Sequence, residues 1–241
     1  MTARLIGGAR LLAMLDQAKL GKVRDERFVE LVDLLVETLP GEAARLAAAP
    51  SPRQAAMLRQ LAFAHAEHVT LDELRGGVAG RFRKRWQQLQ KAKRFLRGDG
   101  TVPEVPGIRG TAAFVDVDAV TPATGDGEKM ADLVRRYLAA RIAGSSTFAA
   151  GYYGWPMVAG LTACLLSVAA AGWIARFRAA ASGRAVFDFF DAAAAVGIVD
   201  RAATRLPALG TLAERTRVAY LQSDDGVARL LNRYPLTDPQ A

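Results

Sequence analysis

His65 and His68 bracket Glu67 in the phrase HAEH, and on a helix the pair would set two ring nitrogens near one face. A zinc site draws about three protein ligands in tetrahedral geometry. These are the chain's only histidines, and their spacing is not the four-residue step of H-E-x-x-H. His65 and His68 are therefore the only candidate metal ligands, and the residues favour a partly buried structural pair, with no metal and no cofactor expected. Asp188 and Asp191 in FDFFD, with Asp200 further on, offer paired carboxylates. Beside Phe187, Phe189 and Phe190 they read instead as the acidic first turn of an amphipathic helix, opposing its positive end. Cys164 is the single cysteine and lies in an apolar stretch, where a thiol stays inert. G-x-S-x-G, P-loop and G-x-G-x-x-G patterns are absent, so no catalytic residue is nominated.

The strongest local signal is basic. No acid lies between Glu73 and Asp99, while Arg75, Arg81, Arg83, Lys84, Arg85, Lys91, Lys93, Arg94 and Arg97 accumulate. Phe82, Trp86, Leu89 and Leu96 share an approximate helical face. The expectation is a helix that buries that face, Trp86 included, and turns its cations outward to water or to phosphates. Arg81, Arg83, Lys84, Arg85, Lys91, Lys93, Arg94 and Arg97 are the anion-binding candidates, with nucleic acid or an anionic membrane as partner. The whole-chain charge of +8 permits such a partner without requiring one.

These residues need elements to hold them. Ala and Leu abound and β-branched runs are few, which favours helix. Helices are predicted over about 3–19, 25–39 and 71–97, with another that starts at Ser51-Pro52 and carries Met57, Leu58, Leu61 and His65. Ser51-Pro52-Arg53-Gln54 and Thr70-Leu71-Asp72-Glu73 act as capping boxes. The second of these helices would carry Phe28, Val29, Val32, Leu35 and Leu39 on one side. Between 98 and 127, Pro103, Pro106, Gly107, Gly110, Pro122 and Gly125 break the pattern, and only Phe114–Val117 suggests a short extended piece. Helix resumes near Glu128 with Met130, Leu133, Val134, Tyr137, Leu138 and Ile142 as its stripe. It continues through a helix from Ala185 and two short final helices, and Pro235 and Pro239 mark a frayed tail.

At the centre stands the stretch from Phe148 to Phe177. No charge lies between Arg141 and Arg176, and Pro156 suits the first turn of a helix. About 20 apolar residues are what a bilayer requires, and Trp155 and Trp173 sit where interfacial anchors would. Much of the stretch is Ala, Gly, Ser and Thr, however, and arginines flank both sides, so a buried core helix is the favoured reading, with Leu161 and Leu165 inward. The fold class is all-α: a multi-helix orthogonal bundle around one buried apolar helix at about 155–175, with a long irregular loop near 98–127. The division is 1–97, a connector 98–127, 128–234 and a tail 235–241, or one single domain. One cysteine and no signal-peptide pattern point to the cytoplasm, with membrane association as the alternative.

The runs LVRRYLAARI (133–142), FAAGYYGWPMVAGLTACLLSVAAAGWIARF (148–177), AVGIVDRA (195–202) and LGTLAER (209–215) resemble a known family. It is the C-terminal helical region of YkgJ-type cysteine-cluster proteins, relatives of the flagellin lysine-N-methylase family. ARLLAMLDQAKLGKVRDERFVELVDLL (9–35) and RKRWQQLQKAKRFLRGDGTVPEV (83–105) resemble the part that precedes it. The family is defined by an N-terminal cluster of cysteines, the implied holder of a metal or iron–sulfur centre. This chain has none of them, so the family's activity does not carry over. What the resemblance implies is a non-catalytic helical interaction or accessory module whose partner is a separate cysteine-cluster-bearing protein. The alternatives are a membrane-associated protein held by 155–175 and the basic helix, and a subunit of a protein lysine methylation system.

Overall fold

A computed structural model describes residues 1–17, 30, 37, 49–66, 78–203 and 207–237, with residues 17, 78–85 and 207–208 described by backbone alone. The helices are α1 (Thr2–Gln17), α2 (Pro52–Ala66), α3 (Val78–Arg97), α4 (Phe114–Ala119), α5 (Gly127–Ala143), α6 (Met157–Ala181), α7 (Phe189–Ala203), α8 (Leu212–Gln222) and α9 (Gly226–Arg233). The two strands, β1 (Thr121–Pro122) and β2 (Val186–Phe187), pair in parallel. The fold is an all-α bundle. The predicted helix at 25–39, Glu30 and Glu37 apart, and the capping box at Thr70–Glu73 lie outside the described residues.

α6 is the axis. Its 25 residues are apolar on every side apart from Arg176 and Arg178 near its end, and α7, α2, α9, α1 and α4 all pack against it. Its most apolar window, of mean hydropathy 1.9, is 78% buried, so the surface that would face lipid in a membrane span is taken by neighbouring helices. Small residues make this closeness possible. A Cβ at Gly172 would run into the Tyr234 carbonyl, so the chain after α9 crosses α6 only because that position is glycine. The helix ends in a Schellman motif: Arg184 N–H donates to the Ala179 carbonyl and Gly183 N–H to that of Ala180, both at 2.9 Å. Leu166, Trp173 and Ile174 are fully buried, whereas Leu161 and Leu165 are only half-buried, at the margin of the core rather than in it.

Caps fix the surrounding helices. Ser51 and Gln54 form the expected capping box, with Ser51 N–H donating to Gln54 Oε1 at 2.8 Å and Gln54 N–H to Ser51 Oγ at 3.2 Å. Asp188 and Asp191 exchange the same pair of bonds at the start of α7, at 3.0 and 3.3 Å. Three elements differ from expectation. Phe114–Ala119 is a helix, not an extended piece, because Asp116 caps it (Ala113 N–H to Oδ2, 3.3 Å) and its apolar residues Phe114 and Val117 face α6. Val186–Phe187 is a strand preceding α7. Finally, the chain past α9 is not frayed as far as Thr237. Tyr234, Leu236 and Thr237 are buried, Thr237 Oγ1 lies 2.7 Å from Thr2 Oγ1, and the Arg176 guanidinium donates to the Pro235 carbonyl at 3.2 Å.

Candidate interaction surface on the basic helix

α3 is held by one side chain above others. Phe95 is fully buried, stacked on Phe63 with ring centroids 4.7 Å apart and edge-on to Phe114 and Trp173 at 5.6 and 5.7 Å. Arg59 of α2 donates from Nε to the Phe95 carbonyl at 3.1 Å, and Gln60 donates to the Ala92 carbonyl at 3.2 Å. The helix stops at Gly98 (φ +71), where a Cβ would meet the Arg59 guanidinium.

Anchoring through Phe95 reverses the expected orientation. Trp86, Leu89, Lys93 and Leu96 recur at i, i+3, i+7 and i+10 and share one face, which runs from Trp86, opposite Phe95, round to Leu96, about 100° from Phe95 on the flank toward α2. Trp86 is 54% exposed, Leu89 53% and Leu96 42%. Trp86 was expected to pack inward; it stands outward instead, because the aromatic cluster of the core receives Phe95 and the helix has only one inward side. Lys93, Arg94 and Arg97 are exposed beside these residues. Lys91 sits lower and donates to the Glu104 carbonyl at 3.1 Å. The side chains of Phe82, Arg81, Arg83, Lys84 and Arg85 lie outside the described residues.

Along the seam of α2 and α3 run two grooves that share Gln60. One, of about 590 Å³, is bounded by Arg53, Met57, Arg59, Leu96 and Arg97. The other, of about 250 Å³, is bounded by Phe63, Gln88, Leu89, Ala92 and Arg217. Arg53, Arg59 and Arg217 thus bring cations from α2 and α8 to the same seam. Sequence reasoning missed them because they lie far from the basic run in the chain.

The residues nominated for chemistry are elsewhere. His65 is buried on α2, with Nε2 3.4 Å from Ser167 Oγ on α6. The Ser167 hydroxyl donates to the Ala163 carbonyl at 3.0 Å, so its oxygen accepts from the His65 ring. Burial, with Arg141 and Arg217 adding to it, pushes His65 down to about 3 and keeps the ring neutral. His68 lies outside the described residues. Among the described residues no three His, Cys, Asp or Glu side chains gather to hold a metal ion. Cys164 is buried, which pushes its thiol up to about 11 despite Arg141 and Tyr137 nearby. Burial likewise raises Tyr137. Asp191 pairs with Arg184 at 2.7 Å and Asp188 with Arg184 at 3.3 Å, which engages the FDFFD carboxylates in structure.

The comparison with known proteins returns no match to this chain: no family model, no curated relative and no solved structure.

Proposed function

We propose that this chain is a non-catalytic helical interaction module that engages an anionic partner through the outer face of α3. The observation that carries the reading is the placement of Trp86, Leu89 and Leu96, exposed on a helix with no acid between Glu73 and Asp99. Leaving three large apolar side chains in water forgoes stabilisation that burial would give. Surrounding them with Lys93, Arg94 and Arg97 selects against a basic partner and favours an anionic one. The non-catalytic part rests on where the reactive groups lie. His65, Ser167, Tyr137 and Cys164 are inside the core, and burial holds the titratable ones neutral. The resemblance to the helical region of cysteine-cluster proteins adds an accessory role beside a cluster-bearing protein.

The test is association of the full-length protein with inorganic polyphosphate, followed across a salt series. Binding is expected at low salt, with log K falling linearly against log salt. Changing Lys93, Arg94 and Arg97 to Glu should abolish it while the circular dichroism spectrum is unchanged. A folded protein that binds no polyanion at low salt overturns the proposal.

A further inference from the structure

We infer that the partner of the α3 face is a bilayer surface carrying acidic phospholipid, with Trp86, Leu89 and Leu96 seated between the headgroups; this rests on the reading of α3 as the interaction face. Among anionic partners, a bilayer is the one that offers an apolar layer directly beneath its negative charge. Leu89 and Leu96 have no π-face on which a nucleobase could stack, and single-strand binders rely on aromatic platforms. Duplex phosphates would use the cations alone and leave the three apolar side chains in water. A bilayer uses both. A basic helix with Trp and Leu on one side lies in the interfacial plane, its apolar residues dipping a few ångströms below the headgroups.

The geometry of α3 meets that requirement. Its 20 residues make a rod about 30 Å long, fixed to the core on one side by Phe95. Away from Phe95, Leu96, Leu89, Lys93, Trp86 and Arg97 follow one another around the helix within about a third of its circumference, at 100° per residue, with Leu96 and Leu89 on the α2 flank. Lys93 and Arg97 are therefore level with the apolar residues and reach headgroup phosphates by snorkelling. Each cation held at an anionic leaflet strengthens binding roughly fivefold.

The chain supplies its own probe. It has three tryptophans, and Trp155 and Trp173 are each 1% exposed, so emission open to an aqueous quencher belongs to Trp86. The experiment mixes full-length protein with vesicles of phosphatidylcholine, or of phosphatidylcholine with a minority of phosphatidylglycerol. Sedimentation and tryptophan emission are followed. The expected result is co-sedimentation with the phosphatidylglycerol vesicles alone, a blue shift, loss of acrylamide quenching and gain of quenching by acyl-chain-brominated lipid. Leu89→Gln with Leu96→Gln should weaken binding by at least about tenfold without changing the fold. Lys93→Gln, Arg94→Gln and Arg97→Gln together should weaken it on the order of a hundredfold.

Four results overturn the inference. Vesicle binding indifferent to the leucine changes is adsorption by charge alone. Binding of polyphosphate or of an acidic amphipathic peptide, without vesicle binding, keeps α3 as the interaction face and removes the bilayer. Acrylamide protection of Trp86 in the free protein means the face is already covered. Failure to bind vesicles and polyphosphate alike removes the proposed function as well.

Discussion

α3 and α6 are the two longest helices described, and each comes from a run lacking some class of charge. Residues 142–175 carry no charge of either sign, and 74–98 carry no acid. They finish in opposite environments. α6 is apolar all round apart from Arg176 and Arg178, and its many Ala residues and two glycines let α1, α2, α4, α5, α7, α8 and α9 approach it, so most of its surface is consumed. α3 brings apolar residues on two sides, of which the core takes the one bearing Phe95 and water the one bearing Trp86, Leu89 and Leu96. The difference teaches that an apolar stripe reports an ability to be buried. Whether it is buried depends on the surface another element presents, and the Phe63–Phe114–Trp173 cluster presents its surface to Phe95.

The comparison breaks most sharply at tryptophan. Trp173→Ala empties a site where Phe95, Phe114 and Phe177 converge and is expected to destabilise by about 3–5 kcal/mol in urea unfolding. Trp86→Ala should change stability by no more than about 0.5 kcal/mol. A large loss for Trp86→Ala would place that side chain in a packed environment and erase the contrast.

A second expectation sharpens what makes α6 central. Arg176 is buried, and its guanidinium donates to the carbonyls of Val120 at 3.0 Å, Gly172 at 3.2 Å and Pro235 at 3.2 Å. It also lies over the Phe187 and Tyr234 rings at 5.4 and 5.6 Å. It ties the β1 strand region and the chain end to the central helix. Arg176→Met keeps the stem but strands the Val120 and Pro235 carbonyls, and a cost of about 2–3 kcal/mol is expected. Faster amide exchange from Tyr234 to Thr237 should accompany it.

Much of this was legible in the sequence. The capping box Ser51–Gln54 is local chemistry and is read from adjacent residues, whereas Asp188 and Asp191 read only as an acidic first turn, and their reciprocal capping bonds emerge from the strand that ends at Phe187. The uncharged run 142–175 announces a core helix by composition. The outward turn of Trp86 was not legible, because Phe95 and Trp86 are both aromatic residues of one helix and only α2, α4 and α6 decide between them. Nor was the helix at Phe114–Ala119, short and bracketed by glycines and prolines, whose formation depends on packing against α6. The buried end at Tyr234–Thr237 depends on Arg176 and Gly172, some sixty residues earlier.

A pH titration probes the inner side of α2. His65 is depressed to about 3 from an ordinary value of 6.5, so the native ring stays neutral while the unfolded chain takes up a proton below about pH 6.5. The unfolded state then binds more protons, and stability should fall as pH drops from about 6.5 toward about 3, with a limiting slope of about 1.4 kcal/mol per pH unit. Glu214, raised by burial, acts with the opposite sign above its ordinary 4.5, so the net slope is steepest below that value. His65→Gln should flatten the acid limb. An unchanged limb would mean the ring is hydrated in the native protein.

The smallest effect on stability carries the most information about function. Leu89→Gln and Leu96→Gln replace side chains that are 53% and 42% exposed at the margin of the α2–α3 grooves, so each should change the unfolding free energy measured in urea by no more than about 0.5 kcal/mol. Glutamine is a good helix former and leaves α3 intact. The pair should also reduce the protein's tendency to self-associate, since the apolar stripe loses two of its three described members while the cations remain to repel. Sedimentation velocity across a concentration series provides that check. A loss above about 2 kcal/mol in either variant would show that the stripe packs inside the protein, and α3 would then resemble α6 with both of its apolar sides consumed.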